Sequence, residues 1–185
     1  MDTELLAAYL PEDRGAPMVR LNMVTSLDGA VTLDGRSGPL GGPKDQELMG
    51  LLRMMADVVM VGANTVRVEG YRGSLISDEA RAWRVQNGLP PDPIFEIAHL
   101  RDVPDLLAKH ARKHLLCEGG PHIFGALAGL DAIDELCLTI GPMLVGPGAG
   151  RITAGAPHPP RRMRMMHAIS VDQLLFLRYR SSVTI

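Results

Sequence analysis

Leu116-Cys117-Glu118-Gly119-Gly120-Pro121-His122-Ile123-Phe124-Gly125-Ala126 is the stretch that decides how this chain is read. The apolar run His114 to Cys117 reads as a strand, and a helix opens at Pro121. A proline suits that first helical position because its φ is already set. Between strand and helix, two adjacent glycines let the backbone turn sharply and approach a ligand closely. The unpaired N–H groups of the helix start point back at that turn, which makes an anion site, most often for phosphate. An ordinary strand–turn–helix corner reads the same way in isolation. Glu118 stands at the strand's end, where a carboxylate beside a phosphate site makes most sense as a ligand for something else.

The chain around this corner alternates strands and helices. Upstream, Asp57 to Gly62 is a continuous apolar run of the kind found in doubly covered strands. It ends in Gly62-Ala63-Asn64-Thr65, a second glycine turn, followed by a polar loop over Val66–Gly73. Before it, Pro43 to Ala56 carries Leu48, Leu51, Leu52 and Met55 at helical spacing. The preceding Arg36–Gly42 run reads as a mobile glycine-rich loop. Earlier still, Met18 to Ser26 reads as a strand, with Val19, Leu21 and Met23 on one face and Arg20, Asn22 and Val24 on the other. It runs into Ser26-Leu27-Asp28-Gly29, a third glycine turn, and Ala30 to Leu33 follows as a short strand. Residues 4–10 form a short helix stopped by Pro11, and 11–17 a polar, exposed lead-in.

Asp78 to Gln86 and Asp102 to Lys113 read as helices, separated by the breaker at 87–93. Residues 94–101 give no clear pattern. Downstream, 134–140 is a strand, Met143–Val145 continues its apolar pattern, and 146–150 is a glycine loop. Arg162–Ser170 and Gln173–Ser181 form a terminal strand pair. The order implies an α/β three-layer fold, with a mostly parallel central sheet and an antiparallel C-terminal edge. In such sheets ligands bind beyond the C-terminal strand ends, where all three glycine turns fall.

The composition of the 185 residues narrows the class further. Nearly balanced charge, −2 overall, argues against nucleic-acid binding by bulk electrostatics. No apolar run is long enough to span a bilayer, and the N-terminus is acidic where a signal peptide is basic, so a cytoplasmic location is expected. Cys117 and Cys137 form no CxxC motif and read as reduced strand residues. His99, His110, His114, His158 and His167 lack ligand spacing, and no metal is expected.

Five motifs in order carry a resemblance. They are Ser26-Leu27-Asp28-Gly29; Leu52-Arg53 ahead of Ala56-Asp57; Val61-Gly62 with Thr65; Cys117-Glu118-Gly119-Gly120-Pro121; and Asp134-Glu135-Leu136. Together they resemble the reductase domain of riboflavin biosynthesis, which has the dihydrofolate-reductase-like fold. The Val66–Tyr71 run is similar to stand-alone actinobacterial members. The resemblance implies a reductase domain over 18–185 preceded by an N-terminal extension, 1–17. It also implies NADPH as cofactor, a small-molecule substrate and a homodimer, paired through the apolar 134–145 and 163–177 stretches. Hydride would pass from the nicotinamide to C1 of the ribosyl group of 5-amino-6-(5-phosphoribosylamino)uracil or a related pyrimidine, through its ring-opened imine form.

By position, the resemblance puts Gly119, Gly120, Pro121, His122 and Ile123 at the cofactor pyrophosphate. Val24, Thr65 and Glu69 would line the cofactor, and Ser37, Arg53 and Glu118 would face the substrate. Arg67 or Arg72 would meet the 2′-phosphate. No catalytic acid is assigned, with Glu118 and Glu69 the nearby candidates, while Asp28 is expected to brace its own turn. Asn22 stands where many relatives carry Lys, Pro39 where they carry Trp, and Glu69-Gly70-Tyr71 where they carry Asp-Asp-Pro. A dihydrofolate or other pterin reductase, or an NADPH-binding module without catalysis, therefore stays open. Relatives also hold at least one strand and more chain between Pro93 and Asp102, so a segment missing near 93–101 is expected.

Overall fold

In the computed structural model, which describes residues 3–155 and 157–182, one seven-stranded sheet organises the chain. The strands are β1 (Met18–Thr25), β2 (Val58–Gly62), β3 (Ile94–Ala98), β4 (His114–Cys117), β5 (Glu135–Ile140), β6 (Met163–Val171) and β7 (Leu174–Ser181). Their order across the sheet is β3-β2-β4-β1-β5-β7-β6. The first five are parallel, and β7 and β6 close the edge antiparallel. The β6–β7 turn passes through Asp172 and Gln173, both at positive φ (49° and 68°), as the right-handed twist of a tight hairpin requires.

Helices cover both faces: α1 (Thr3–Tyr9), α2 (Gly38–Met55), α3 (Ala63–Glu69), α4 (Asp78–Gln86), α5 (Val103–Lys109) and α6 (Pro121–Gly129). On one face α1, α2 and α4 bury Leu5, Tyr9, Leu48, Leu52, Met55 and Ala80 against Val59, Val61, Leu116 and Phe176. On the other, Val103 of α5 and Ile123, Phe124 and Leu127 of α6 pack on Leu21, Val58, Met60 and Leu115. β2 is wholly buried, as its continuous apolar run requires.

Three charged networks fasten the edges of these layers. Glu135, with no exposed surface, receives Arg20 (2.5 Å), Arg178 (2.8 Å) and Arg180 (3.2 Å). Burial alone would raise its pKa, but the three arginines hold the carboxyl below its ordinary range. Arg84 of α4 is completely buried and donates to the carbonyls of Pro90, Met54 and Ala56, which ties off the end of α2. Arg14 joins the N-terminal lead-in to Asp57 and to the Met55 carbonyl.

Several local expectations are corrected. Ala30–Leu33 is no strand; Leu33 makes only an isolated bridge to Arg36. Gly38–Gly41 is already helical, joined to the rest of α2 by a kink at Gly42, where φ is +66°. Val66–Gly73 is no loop throughout, because α3 runs to Glu69 and ends on Gly70 in the left-handed conformation. The helix expected to reach Lys113 stops at Lys109. Leu144, read as continuing an apolar pattern, is 75 % exposed outside any strand. Residues 94–101 hold β3 and the start of a 3-10 turn (Leu100–Asp102).

Candidate active site

β1, β2 and β4 run parallel, so their C-terminal ends and the turns that follow lie along one rim of the sheet. At the centre of that rim the Gly62 N–H donates to the Gly119 carbonyl at 2.6 Å, which locks two of the glycine turns together. The approach leaves no room for side chains. A Cβ on Gly62 would lie 3.1 Å from the Gly120 nitrogen, and one on Gly120 would lie 2.8 Å from Thr65 Oγ1. The Gly119–Gly120 peptide is cis.

On the outer side of this corner is a groove of about 230 Å³. Gly62 to Thr65, Ala98 to Leu100 and Gly120 to Ile123 line it. No side chain caps the start of α6; Pro121 has no N–H and the Ile123 and Phe124 N–H groups donate to the Gly120 carbonyl, which leaves the His122 N–H and the positive helix end facing the groove. Five of the eight residues expected at the cofactor (Thr65, Gly120, Pro121, His122 and Ile123) converge here, and Gly119 adjoins them through its bond to Gly62. The backbone fits a dinucleotide pyrophosphate: it has a positive helix end, a floor without side chains and a glycine where a Cβ would collide. Arg67 is exposed on α3, donating to Asn64 Oδ1 at 2.6 Å.

The other two cofactor candidates lie elsewhere. Val24 is buried on β1, lining neither this groove nor the cavity behind it. Glu69 belongs to that second cavity, about 250 Å³, lined by Ser37, Gln46, Met49, Arg53, Tyr71 and Arg72 among others. There Glu69 Oε1 accepts from both the backbone N–H and the hydroxyl of Ser37, each at 2.9 Å. The three residues expected at the substrate gather around the same space: Ser37 and Arg53 in its wall, and Glu118 gripped by two wall residues.

Arg53 and Glu118 are not two independent contacts for a substrate. Arg53 Nε and Nη2 reach the two Glu118 oxygens at 2.6 and 2.7 Å, a bidentate pair. Tyr71 adds its hydroxyl to Oε2 at 2.7 Å. The carboxylate is thus fixed in one orientation with most of its acceptor capacity used. Arg53 also donates to the Leu75 carbonyl. Burial alone would lower the Arg53 pKa, but Glu118 outweighs it and keeps the guanidinium firmly charged. Burial, aided by Glu118, pushes the Tyr71 phenol up. A larger cavity of about 560 Å³ shares Gln46, Met49, Arg53, Ser74 and Leu75 with this one and extends towards α4.

Tyr71 was missed by sequence reasoning as a site residue, although it ends the Val66–Tyr71 run that carries part of the resemblance. Asp28 braces its turn as expected. It accepts from Ser26 Oγ and from the N–H groups of Val145 and Gly146, and these bonds, Ser26 first, hold its pKa near about 2. Cys117 and Cys137 are free thiols that burial pushes up to about 12. No helix among the described residues is long and apolar enough to cross a membrane.

Known proteins resemble this chain in sequence or in fold. A riboflavin biosynthesis protein RibD of Mycobacterium tuberculosis is 27 % identical over 175 residues; the match covers 80 % of this chain and 48 % of that protein, so the chain spans about half its length. A 2,5-diamino-6-ribosylamino-4(3H)-pyrimidinone 5′-phosphate reductase of Archaeoglobus fulgidus is 22 % identical over 180 residues, covering 70 % of this chain and 82 % of that one. Among solved structures, a pyrimidine reductase-like protein of Corynebacterium diphtheriae superposes with a TM-score of 0.85 at 22 % identity, covering 99 % of this chain and all of that one. A dihydrofolate reductase of Enterococcus faecalis, complexed with NADP(H), shares the fold at a TM-score of 0.59 and 15 % identity, covering 91 % of this chain and 97 % of that one. The family described as the RibD C-terminal domain matches residues 17–90 and 76–176, and the chain belongs to that family.

Proposed function

We propose that this chain is an NADPH-dependent reductase that delivers hydride to the ribosyl C1 of a phosphoribosylamino-pyrimidine in riboflavin biosynthesis. One observation carries the reading. The groove suited to a pyrophosphate and the cavity whose wall residues Arg53 and Tyr71 hold Glu118 flank a single turn, with Glu118 on one side and Gly120, two residues on, on the other. A cofactor and a substrate bound in these two sites would meet at the sheet rim. Family membership, and the reductase named in Archaeoglobus fulgidus, support the same reading.

NADPH, when bound, would supply the hydride; the chain's own residues position and shield. Gly120 to Ile123 and Thr65 would hold the pyrophosphate, and the glycines would let it approach the backbone. Arg72 or Arg67 would take the 2′-phosphate, the first from the second cavity and the second from the outer face of α3. Glu118, held by Arg53 and Tyr71, would use its remaining acceptor position for an N–H of the pyrimidine, and Ser37 would orient the sugar. A protein built this way gains rate mainly from bringing two ligands into one geometry and excluding water. The proposal includes a cytoplasmic enzyme working as a homodimer, for which the edge strand β6, with Met165 56 % exposed, is a candidate surface.

The test is absorbance of NADPH during incubation with 2,5-diamino-6-ribosylamino-4(3H)-pyrimidinone 5′-phosphate, with its deaminated uracil analogue and with dihydrofolate. Oxidation with either pyrimidine supports the proposal. Oxidation with dihydrofolate alone makes the chain a pterin reductase. Binding of NADPH without turnover of any of the three makes it a binding module.

A further inference from the structure

The two edges of the sheet are built differently. β6 carries Arg164 and a register shift between Met165 and His167. A charge and a bulge both keep an edge strand from pairing with a neighbour, so contacts at β6 are left to side chains. β3, at the other edge, pairs with β2 in unbroken parallel register, and among the described residues no strand lies on its far side. Its sequence, Ile94-Phe95-Glu96-Ile97-Ala98, holds no lysine or proline. Ile94, Phe95 and Ile97 are 46, 36 and 49 % exposed, and Leu100 just beyond is 52 % exposed. An apolar strand left open at an edge is a template for another strand.

The ladder shows which backbone groups are free. The Ile94 N–H donates to the Asp57 carbonyl, and the register continues through Met60–Glu96 and Gly62–Ala98. Alternate residues of a strand face one neighbour, so Ile94, Glu96 and Ala98 bond to β2. Phe95 and Ile97 therefore turn both N–H and C=O outward, and nothing among the described residues meets them. The side chains alternate too. Glu96 lies on the α5 side, where Lys109 Nζ and His110 Nε2 reach its Oε1 at 2.6 and 2.8 Å. Phe95 and Ile97 lie on the opposite face. There the Phe95 ring stacks on Tyr71, with centroids 6.0 Å apart.

We infer that β3 is a self-association edge, pairing antiparallel with β3 of a second copy about a twofold axis at Glu96. The strand is its own complement under that operation. Phe95 falls opposite the second copy's Ile97, and Ile97 opposite its Phe95, so the outward N–H and C=O groups meet as hydrogen-bonded pairs. Each pair also sets an aromatic ring beside a β-branched side chain on one face. The two Glu96 carboxylates meet on the other face, and like charges there would oppose pairing. Each already carries its own Lys109 and His110, and Lys109, 60 % exposed, is placed to serve both. Pairing would also cover the ring that backs Tyr71, the residue that grips Glu118, so a second copy would steady the wall of that cavity. This surface is separate from the one considered on β6, and the inference does not depend on the proposed reaction.

The test is the mass of the full-length chain in solution, by sedimentation equilibrium over a range of concentrations, for wild type, Ile97→Pro and Met165→Lys. Proline at 97 removes an outward N–H and leaves the ladder to β2 intact. Wild type is expected at twice the chain's 20.0 kDa, Ile97→Pro at the mass of one chain, and Met165→Lys as wild type. A halving of mass in both variants makes β3 one of two interfaces and supports the inference. Wild type that stays monomeric, or a mass that halves only in Met165→Lys, overturns it. Glu96→Cys decides if Ile97→Pro fails to fold. Residues facing each other across the twofold have Cα atoms about 4.5 Å apart, within disulfide reach. Mild oxidation of Glu96→Cys should give a covalent dimer on a non-reducing gel, since the native thiols of Cys117 and Cys137 are buried. Absence of that dimer overturns the inference.

Discussion

Arg53 and Tyr71 share one oxygen of Glu118. Arg53 Nη2 and the Tyr71 hydroxyl each lie 2.7 Å from Oε2, and the guanidinium carbon stands 5.2 Å from the Tyr71 ring centroid. Helix α2, the loop after α3 and the end of β4 therefore meet at a single carboxylate. The contact orders the cavity before any ligand arrives, which is how a site lowers the entropy cost of binding.

Removing the cation from this group should be expensive. In Arg53→Ala, Glu118, whose side chain is 3 % exposed, is left buried without a counter-charge, and stability should fall by about 3–5 kcal/mol. Arg53→Lys keeps the charge but not the fork, and should recover only part of the loss. Tyr71→Phe removes one hydrogen bond to a charged acceptor and should cost about 1.5 kcal/mol. Urea denaturation measures all three, and an Arg53→Ala midpoint equal to wild type would show the pair to be idle.

The glycine corner should tolerate no side chain. A Cβ on Gly120 meets Thr65 Oγ1 at 2.8 Å and intrudes on the groove. Gly120→Ala should lose NADPH affinity by about tenfold or more, and Gly120→Val should lose it altogether. Fluorescence titration with NADPH checks this, and near-normal affinity in Gly120→Val would remove the groove from consideration as the pyrophosphate site.

Asp28 gives stability a pH dependence of known sign. Its folded pKa, about 2, lies below the ordinary 3.8 because Ser26, Gly146 and Val145 donate to the ionised form. Folding therefore favours the carboxylate. The contribution is complete above the unfolded value and is lost as pH falls through about 2. Asp28→Asn should lie below wild type in Tm at pH 6, and the gap should narrow between about pH 4 and pH 2. A gap that stays constant over that range would mean that the charge of Asp28 is not what holds the turn.

Arg84 is a structural cation with no role in the site. It has no exposed surface and serves the carbonyls of Met54, Ala56 and Pro90. Arg84→Ala leaves those acceptors unpaired and opens a void, which should cost about 3 kcal/mol or more. NADPH affinity, measured well below the lowered Tm, should be unchanged, and a specific loss of affinity would contradict this division of labour.

The strands that decide the topology were legible because burial and period agreed in them. Val58 to Val61 is apolar throughout and lies in the sheet interior. Strand β3 was not legible because it is an edge strand with Ile94, Phe95 and Ile97 all exposed, so no alternation marks an inner face. Helix α3 reads as a loop because none of its residues is buried.

The sequence by itself determined the strands and helices other than β3 and α3, the antiparallel closing hairpin and the three glycine turns at the rim. These follow from local periodicity and from the conformations open to glycine and proline. Only the tertiary structure decided which charges belong together. Arg53 and Glu118 are 65 residues apart, and Ser37 and Glu69 are 32 apart. Nothing local forces such pairs to meet. Once the layers close, burial makes an unpaired carboxylate so costly that residues read as separate ligand contacts become partners of one another.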